Sequence, residues 1–253
     1  MNWVHKCDLG WLKERQRYLT ASDIKNLLPV TKTGRKRTVG EEEYLKVMAS
    51  KMVTLTEEDC LSFGAAARGH VLEPYAIDSL NATLQTNKIH DYFFWWDDKL
   101  ITQPGRLLAF SPDGMNVDMN DEDAADKTTA IAEVKSYTAE KHLVTAYTPK
   151  DRIEERWQIA SAMALLPNIE RAYLELYNPS MKYRRSYVIR FDRDELMDEI
   201  DTVLEIERNW RNFRMFGLVT KPAANGAIYS HYGPSEESIR KSYDIDKTLN
   251  PVV

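Results

Sequence analysis

Five short runs of apolar or alternating residues in the middle of the chain constrain the fold more than any other feature. The runs lie at residues 89–96, 106–117, 129–137, 171–178 and 184–191. Each has the length of a β-strand and is bounded by turn-forming residues, so we predict strands there. Apolar residues at helical spacing precede the runs, interrupt them at 151–166 and follow them. This order of elements predicts an α/β core whose sheet has mixed strand directions.

The flanking helical patterns can be placed along the chain. We predict a short helix at 11–15, a second helix that begins within 19–24, and longer helices at 41–55, 64–84 and from Leu196 to Phe213. Thr20 or Ser22 would cap the second helix. Pro74 interrupts the pattern at 64–84. Because proline lacks an amide donor, we expect a kink or a helix boundary beside Glu73.

Length and composition exclude several classes of protein. With 253 residues, of which 43% are hydrophobic and 29% charged, the chain can bury a core, which excludes a disordered or low-complexity protein. Residues 1–216 are predicted to form one domain and 217–253 a C-terminal extension. The net charge of −5 argues against a general affinity for nucleic acid or membranes, but it allows a local basic patch.

Nothing in the sequence suggests secretion or membrane insertion. The first residues lack the apolar core of a signal peptide, and no stretch approaches the roughly 18 apolar residues of a membrane span. Cys7 and Cys60 match no zinc or disulfide pattern. We therefore expect a soluble intracellular protein with two thiols in a reducing cytosol.

The predicted strand at 129–137 carries an acid and an amine on one face. Glu133 and Lys135 are two residues apart, so their side chains point to the same side of the sheet. Such a pair is by itself most often an exposed salt bridge. Small or apolar residues flank this pair, however, and Asp113 stands at a turn between the preceding strands. A hairpin that joins the strands would bring Asp113 beside Glu133.

Two carboxylates with a lysine at their edge suit the hydrolysis of a phosphodiester. The carboxylates supply hard oxygen ligands for Mg²⁺, and the lysine supplies a cation that holds the attacking water or the developing charge. Asp113 also has a simpler interpretation, because Asp-Gly is a common turn dipeptide whose carboxylate often bonds to its own main chain. The chain has no Gly-x-Gly-x-x-Gly and no Walker loop, so a nucleotide cofactor has no support.

These residues resemble the D…(D/E)-x-K signature of the PD-(D/E)xK nuclease superfamily. Six motifs occur in the order and approximate spacing of bacteriophage lambda exonuclease and the related YqaJ-type viral recombinases. They are Trp11…Arg15…Thr20-Ala21-Ser22, Gly69-x-x-x-Glu73, Ser111-Pro112-Asp113-Gly114, Glu133-x-Lys135, Gln158 and Tyr177-Asn178-Pro179-Ser180-Met181-Lys182. The resemblance covers about residues 11–215. Each motif is weak alone, and six in order are specific.

The resemblance implies a fold, an activity and partners. The fold would be restriction-endonuclease-like, with a central mixed β-sheet flanked by helices. The activity would be Mg²⁺-dependent 5′-to-3′ digestion of one strand of linear double-stranded DNA, which leaves a 3′ single-stranded overhang for phage-type recombination. Two Mg²⁺ ions per site, with Mn²⁺ as a substitute, a ring-shaped homotrimer, a single-strand annealing protein and the cytoplasm of a bacterial host are implied in the same way.

The resemblance also implies roles for the residues of the catalytic motifs. Asp113 and Glu133 would bind metal together with the main-chain carbonyl of Val134, and Glu73 would be a third carboxylate. Lys135 would position or deprotonate the attacking water. Gln158 would support the lysine and the water. The family often has Gln-x-Gln where this chain has Gln158-Ile159-Ala160, so the motif glutamine is either Gln158 or has no counterpart here.

A second group of residues would contact DNA. Arg15, Ser22 and Ser111 resemble the residues that receive the terminal 5′-phosphate, with Arg17 as a rival for Arg15. A guanidinium that forks onto phosphate oxygens and nearby hydroxyl donors suit this role. The basic loop Lys32, Arg35, Lys36 and Arg37 either contacts the DNA backbone or is solvated. Lys182, Arg184 and Arg185 either contact DNA or only edge a strand.

Two alternative functions stay open at this point. The first is a structure-directed DNA endonuclease of the same fold. The second is a non-catalytic protein that binds DNA ends as a scaffold, which would have no chemical need for Glu73, Asp113, Glu133 and Lys135 together. The acidic stretch from Asp118 to Asp126 is expected to be a solvated loop, because its spacing does not follow a calcium loop.

Overall fold

The structure is a computed structural model, and it describes a large part of the chain. The described residues are 9–29, 38–55, 65–89, 92–96, 99–118, 121, 123–216, 221–222 and 228–229. The predicted basic loop, both cysteines and most of the predicted C-terminal extension lie outside these residues.

The described residues form helices and short strands in the predicted order. The helices are α1 (Leu9–Arg15), α2 (Ala21–Leu27), α3 (Glu41–Lys51), α4 (Ala65–Thr86), α5 (Ala124–Lys127), α6 (Ala139–Tyr147), α7 (Arg156–Leu165) and α8 (Met197–Phe216). The strands are β1 (Trp95–Trp96), β2 (Ile101–Thr102), β3 (Ala109–Phe110), β4 (Gly114–Met115), β5 (Ala130–Lys135), β6 (Arg171–Tyr177), β7 (Ser186–Asp192), β8 (Lys221–Pro222) and β9 (Ile228–Tyr229). Short 3₁₀ turns precede α7 and α8, at Lys150–Arg152 and Arg193–Leu196.

A central five-stranded sheet has the order β1-β4-β5-β6-β7. The strands β5 and β6 are parallel, and each of the other neighbouring pairs is antiparallel. The helix α7 lies between β5 and β6 in sequence, as a parallel connection requires. The predicted sheet of mixed strand directions is therefore confirmed.

Helices cover both faces of the central sheet. Side chains of β5 alternate between the faces: Ile131 joins the core formed with α2, α7 and α8, whereas Ala132 and Val134 join the core beneath α4. Exposure of either face would be costly, because both carry buried apolar side chains. The fold is the predicted α/β arrangement of a sheet between helices.

Three local predictions differ from the structure. The run at 106–117 is two strands, because Ser111–Asp113 turn the chain and β3 pairs with β2 instead of entering the central sheet. Of the two outcomes predicted at Pro74, a kink or a helix boundary, the boundary is wrong, since α4 continues through this residue. A proline inside a helix costs about 3 kcal/mol, and burial of Ala76, Ile77 and Leu80 under the same helix offsets that cost. The sequence analysis did not predict α6 or β2.

The helix α8 holds distant parts of the chain together. The guanidinium of Arg106 donates two hydrogen bonds to the Glu207 carboxylate from Nε, at 2.9 and 3.1 Å, and a third from a terminal nitrogen at 2.7 Å. The main-chain N–H of Leu107 donates to the same carboxylate at 2.6 Å. Further along α8, Arg214 donates to the carbonyl of Arg17 at 3.3 Å. An isolated bridge between Leu19 and Leu108 completes this connection.

Gly114 sits where the sheet approaches α4 most closely. A β-carbon at this position would lie 2.7 Å from Cδ1 of Ile77 and 3.3 Å from the β-carbon of Ala132. We expect Gly114→Ala to lower the free energy of unfolding by about 1–2 kcal/mol, because Ile77 and Ala132 would have to shift within a packed core. Urea unfolding monitored by circular dichroism measures this difference.

Gly69 provides the matched control for this substitution. It lies on α4, and a β-carbon there would meet nothing within 4 Å. Gly69→Ala should leave stability unchanged or raise it by about 0.5–1 kcal/mol, because alanine favours helix. Equal effects of the two substitutions would contradict the close approach at Gly114.

Candidate active site

One cleft of about 1880 Å³ gathers the sequence-predicted site residues. Its lining includes nine of those predictions: Arg15, Ser22, Glu73, Ser111, Asp113, Val134, Glu133, Lys135 and Gln158. These side chains come from α1, α2, α4, β5, α7 and the turn between β3 and β4. The fold thus brings residues from positions 15 to 158 to a single surface.

Asp113 lies in the turn that leads into β4. The strands β4 and β5 are antiparallel, with Gly114 opposite Ala132, so Asp113 reaches the level of Glu133. Its Oδ2 accepts a hydrogen bond from the main-chain N–H of Val134 at 2.8 Å, and the residue is 5% exposed. The predicted hairpin that places Asp113 beside Glu133 is confirmed. The carboxylate bonds across to β5, which the simpler interpretation of an isolated Asp-Gly turn did not include.

Glu133, Lys135 and Gln158 form a compact polar group. Nζ of Lys135 donates to Oε1 of Glu133, and Nε2 of Gln158 donates to the same oxygen at 2.5 Å. Glu133 is 1% exposed and the Lys135 side chain is 22% exposed. The pair is therefore a largely buried ion pair with an amide donor beside it, and the alternative of an exposed surface salt bridge is wrong.

Electrostatics keep the Lys135 side chain charged. Burial alone would lower the pKa of this ammonium, but the negative charges of Glu133, Asp113 and Glu155 outweigh burial and raise its pKa above the ordinary value. Lys135 is consequently a hydrogen-bond donor at neutral pH. It can hold an anionic oxygen or a water molecule at the edge of the two carboxylates.

Gln158 occupies the first turns of α7, and its side chain reaches across to β5. Ala160, at the place of the second glutamine in the family pattern, is buried in the core and carries no polar side chain. Gln158 is therefore the amide on this helix that contacts the carboxylate group.

Glu73 lies in the same cleft but is held differently. The residue is 8% exposed, and its Oε1 lies 3.1 Å from Nδ1 of His70, one turn earlier on α4. Among the residues that the structure describes, no three acidic, histidine or cysteine side chains are close enough to hold one ion together. Glu73 thus lines the same cleft as Asp113 and Glu133 and lies within hydrogen-bond distance of His70. The sequence analysis did not identify His70.

The donor atoms at the end of β5 suit a hard divalent cation. Asp113 and Glu133 contribute carboxylate oxygens, which Mg²⁺ and Mn²⁺ prefer. The N–H and C=O of one strand residue point to the same side of the strand. Because the Val134 N–H points to Asp113, the Val134 carbonyl faces the same edge. These three groups fit a metal site in the chemistry of their oxygen atoms.

Arg15 and Ser22 line another part of the cleft. A terminal nitrogen of Arg15 donates to Oγ of Ser22 at 2.9 Å, and the guanidinium lies over the ring of Trp11 at 4.9 Å. Burial lowers the pKa of Arg15, and the charge of Asp23 opposes this effect. Ser111 also lines the cleft, and its hydroxyl donates to the carbonyl of Lys99 at 3.0 Å. A half-buried cation with neighbouring hydroxyls suits an anion such as a phosphate.

Arg17, the rival of Arg15, points elsewhere. Its side chain is 73% exposed and pairs with Glu14 at 2.9 Å, and it does not line the cleft. The geometry therefore selects Arg15 of the two arginines.

The segment that carries Arg15 and Ser22 is fixed by a buried ion pair. Asp23 accepts hydrogen bonds from the main-chain N–H and the hydroxyl of Thr20, both at 2.7 Å, which makes Thr20 the predicted N-cap of α2. Nζ of Lys51, from α3, lies 2.5 Å from the same Asp23 oxygen. The sequence analysis did not identify Lys51, because nothing in its surroundings marks a partner that lies 28 positions away.

A further hydrogen-bonded layer lies just beyond Lys135. The hydroxyl of Tyr137 donates to the buried Glu155 at the start of α7. Asn178 donates from its side chain to the carbonyl of Tyr137 at 2.8 Å and accepts from Arg68 at 3.2 Å. This layer connects the ends of the parallel strands β5 and β6. The sequence motif at 177–182 includes Asn178, but the sequence alone does not show that Tyr137 and Arg68 are the partners of this residue.

The remaining charged candidates lie outside the cleft. Lys182, Arg184 and Arg185 are exposed in the loop between β6 and β7. In the acidic stretch, Asp121 pairs with Lys127 at 2.7 Å. The expectation of a solvated loop from Asp118 to Asp126 is wrong for its end, because α5 begins at Ala124, and Ala124 and Ala125 are buried. Within the ranges described above, no helix is both long and apolar enough to span a membrane.

Comparisons with known proteins identify relatives by structure. No protein-family model matches the chain, and a search of the curated proteins finds no significant match. The alkaline exonuclease LHK-Exo from Laribacter hongkongensis is 18% identical over 83% of this chain and 98% of its own, with a TM-score of 0.52. The structure of LHK-Exo in complex with dAMP is 19% identical over the same shares, also with a TM-score of 0.52.

A phage-related exonuclease from Haemophilus somnus 129PT is 13% identical over 80% of this chain and 97% of its own, with a TM-score of 0.49. The likeness to LHK-Exo extends over nearly the whole of that protein. The fold expected from the sequence motifs is thereby confirmed. The chain has the α/β fold of the alkaline exonuclease LHK-Exo, with a mixed central sheet between helices.

Proposed function

We propose that the chain is a metal-dependent exonuclease that digests one strand of linear double-stranded DNA from its 5′ end. One observation carries this proposal: a single cleft joins a carboxylate–lysine group at the end of β5 to an arginine with hydroxyl neighbours on α1 and α2. The first group suits phosphodiester hydrolysis and the second suits a terminal phosphate. Their presence in one cleft favours cleavage at a DNA end over cleavage within a duplex.

Asp113, Glu133 and the carbonyl of Val134 would hold Mg²⁺, or Mn²⁺ in its place. When bound, such an ion lowers the pKa of a coordinated water and neutralises charge on the phosphate. Glu73, which lines the same cleft, would contribute a third carboxylate to a two-ion site.

The side chains divide the chemical step among them. A water oxygen forms a bond to phosphorus and the bond from phosphorus to the 3′ oxygen breaks, so a 5′-mononucleotide leaves and the next nucleotide retains the phosphate. The Lys135 ammonium donates to the negative oxygens that develop in this step. The amide of Gln158 donates a hydrogen bond to the Glu133 carboxylate and so fixes its orientation toward the lysine.

Linear duplexes labelled at either terminus of one strand test this function. In Mg²⁺, the 5′ label should leave at once as a mononucleotide and the 3′ label only after the strand has been consumed. Chelation of the metal should stop the reaction, and a closed circular duplex should remain intact. Cutting of the circle would favour the structure-directed endonuclease. Binding to ends without cleavage in Mg²⁺ or Mn²⁺ would favour the scaffold.

Arg15→Ala should remove the preference for a 5′-phosphate. The arginine would make a charge-assisted hydrogen bond to the terminal phosphate, so its loss should lower kcat/KM on phosphorylated ends by about 10- to 100-fold. The rate on 5′-hydroxyl ends should change little. Degradation of 3′-labelled duplexes with and without the 5′-phosphate measures both rates.

Arg17→Ala serves as the matched control, since this arginine lies two residues away and outside the cleft. Its phosphate preference should equal that of the wild type. An undiminished preference in Arg15→Ala would overturn the assignment of this pocket.

The proposal extends to a ring-shaped homotrimer and to a single-strand annealing protein that receives the 3′ overhang in recombination. A ring would place the cationic cleft residues toward a central channel while the outside carries the net negative charge of −5. Light scattering coupled to size-exclusion chromatography determines the oligomeric state.

A further inference from the structure

A cluster of cations and exposed aromatic rings lies outside the cleft, at the ends of β5 and β6. We call it the tyrosine–cation patch, and it consists of Lys141, Tyr147, Lys182, Tyr183, Arg184 and Arg185. All six residues are exposed. None of them takes part in the cleft contacts described above.

The patch lies at the same edge of the sheet as Lys135. The strands β5 and β6 are parallel, and Lys135 is paired with Leu176, so both strands end at one edge. The helix α6 follows β5 there, and the loop 178–185 follows β6. Asn178 bonds to the carbonyl of Tyr137, two residues beyond Lys135. Both segments that carry the patch therefore leave the sheet at the end where Lys135 lies.

The two tyrosine rings are unusually exposed for their size. Tyr147 is 66% exposed and Tyr183 is 72% exposed. The Arg184 guanidinium lies 5.3 Å from the centre of the Tyr147 ring, which connects the loop to the end of α6, and Lys182 lies 5.5 Å from the Tyr183 ring. Aromatic faces beside cations are the usual platform on which unpaired bases stack while their phosphates are neutralised.

The charge of the patch is opposite to that of the whole chain. The segments 139–147 and 178–186 contain four lysines and arginines and one acid, Glu140, a balance of 4 − 1 = +3. The chain as a whole has a net charge of −5. A local excess of positive charge on an acidic protein is complementary to a polyanion.

The loop that carries three of these cations is held in one conformation. The N–H of Asn178 donates to the carbonyl of Arg185 at 2.8 Å, and Nε of Arg185 donates to the carbonyl of Met181 at 2.8 Å. Arg184 has a φ of 54°, a left-handed conformation that non-glycine residues rarely adopt. Backbone strain of this kind persists only where the surroundings impose it, and it concentrates at functional surfaces.

We propose that the tyrosine–cation patch binds single-stranded DNA and guides the undigested strand away from the active site. Duplex DNA hides its base faces in the stack, so exposed tyrosine rings favour a single strand over a duplex. The identity of the bound strand rests on the proposed nuclease function, whereas single-strand binding itself does not. Each base stacks on a tyrosine, and the neighbouring lysines and arginines contact the phosphates.

Fluorescence anisotropy of a labelled oligothymidylate in EDTA tests the binding without cleavage. Lys182→Ala combined with Arg184→Ala should weaken binding by about tenfold, and the slope of log K against log salt should fall by about 1.4, since each single-strand phosphate contact contributes about 0.7. Tyr183→Ala should weaken binding by about fivefold or more with an unchanged salt slope. Tyr183→Phe should restore it, because the ring is what stacks.

Lys127→Ala is the control for lost charge, because this lysine is an exposed cation on α5, away from the patch. It should bind as the wild type does. Circular dichroism establishes that each variant is folded. Wild-type affinity and salt slope in both the charge variant and the Tyr183→Ala variant would overturn the proposal.

Photocrosslinking gives a second readout that needs no variant. An oligothymidylate with scattered 5-iododeoxyuridine should crosslink in EDTA to peptides that contain Tyr147 or Tyr183. Crosslinks confined to the cleft would overturn the proposal. If the chain crosslinks at the patch but cuts no DNA in Mg²⁺ or Mn²⁺, the proposed nuclease function fails and the proposed single-strand binding stands.

Discussion

Lys135→Ala is expected to lower the rate of strand hydrolysis by about 1,000-fold, the size of effect that follows the loss of one charged donor or proton-transfer group in an active site. Binding of a DNA end through the Arg15 pocket should change much less. Lys135 is the cation that contacts the buried Glu133 carboxylate, and it would face the phosphate as the negative charge develops. Single-turnover cleavage of a 5′-labelled duplex measures the chemical step.

Removal of Lys135 also leaves Glu133 buried without its cation, which destabilises a protein by several kcal/mol in comparable cases. Asp113→Asn therefore provides an independent test. Asparagine keeps an oxygen to accept from the Val134 N–H but loses the charge. This variant should fold normally and lose activity to a similar extent. Near-wild-type hydrolysis by folded Lys135→Ala and Asp113→Asn would exclude the proposed chemistry, whereas Lys127→Ala should stay fully active.

Glu175→Gln is expected to stabilise the protein strongly at alkaline pH. Glu175 lies in the middle of β6, fully buried, and no group in the described part of the chain donates a hydrogen bond of ordinary length to its oxygens. Burial raises its pKa to about 8, and the hydroxyls of Ser186 and Ser79 are close enough to moderate this rise. The carboxyl group is therefore protonated at neutral pH.

The sign of the pH effect follows from the two pKa values. The folded protein binds the proton more tightly than the unfolded chain, whose glutamate has the ordinary value of 4.5. The stabilisation is complete below about pH 4.5 and is lost as pH rises through about 8, at up to about 1.4 kcal/mol for each pH unit. Glutamine stays neutral, so the difference between variant and wild type should grow by at most about 5 kcal/mol over this range.

Urea unfolding from pH 5 to pH 9 measures both curves. The exposed Glu140 on α6 supplies the control, because Glu140→Gln should follow the wild-type curve. Parallel curves for Glu175→Gln and the wild type would show that the buried carboxyl group does not titrate in this range.

Regular elements with strong periodicity could be predicted from the sequence. The strands β5 and β6 and the helices α3 and α7 fall within predicted runs, and β7 and α8 extend one and three residues beyond theirs, since side-chain alternation and helical spacing are local properties. The division of 106–117 could not be predicted, because tertiary pairing assigns β3 to β2 and β4 to β5. The helix boundary expected at Pro74 is absent for the same reason, because packing of α4 on the sheet outweighs the local preference to end a helix.

The candidate site shows the same difference between relations that local sequence fixes and relations that packing fixes. The sequence placed Asp113, Glu133 and Lys135 together, because a hairpin and the two-residue period of a strand fix their relation. Partners such as Lys51, His70 and Asn178 came only with the fold, since their contacts depend on how separate elements pack. The position of Glu73 in the cleft belongs to this second class, because it depends on where α4 crosses the sheet.

The helix α8 couples the proposed phosphate pocket to residues far along the chain. Arg15 belongs to the first described helix, yet in addition to the Asp23–Lys51 pair its segment is held by contacts from Leu108 and from Arg214, close to the end of α8. A nascent chain that has not yet emerged through residue 207 lacks the carboxylate that fixes Arg106 and Leu107. The proposed phosphate pocket thus depends on contacts between the first and the last of the described helices. A chain truncated before residue 207 would keep Arg15 and Ser22 but lose the contacts from α8 that help to position their segment.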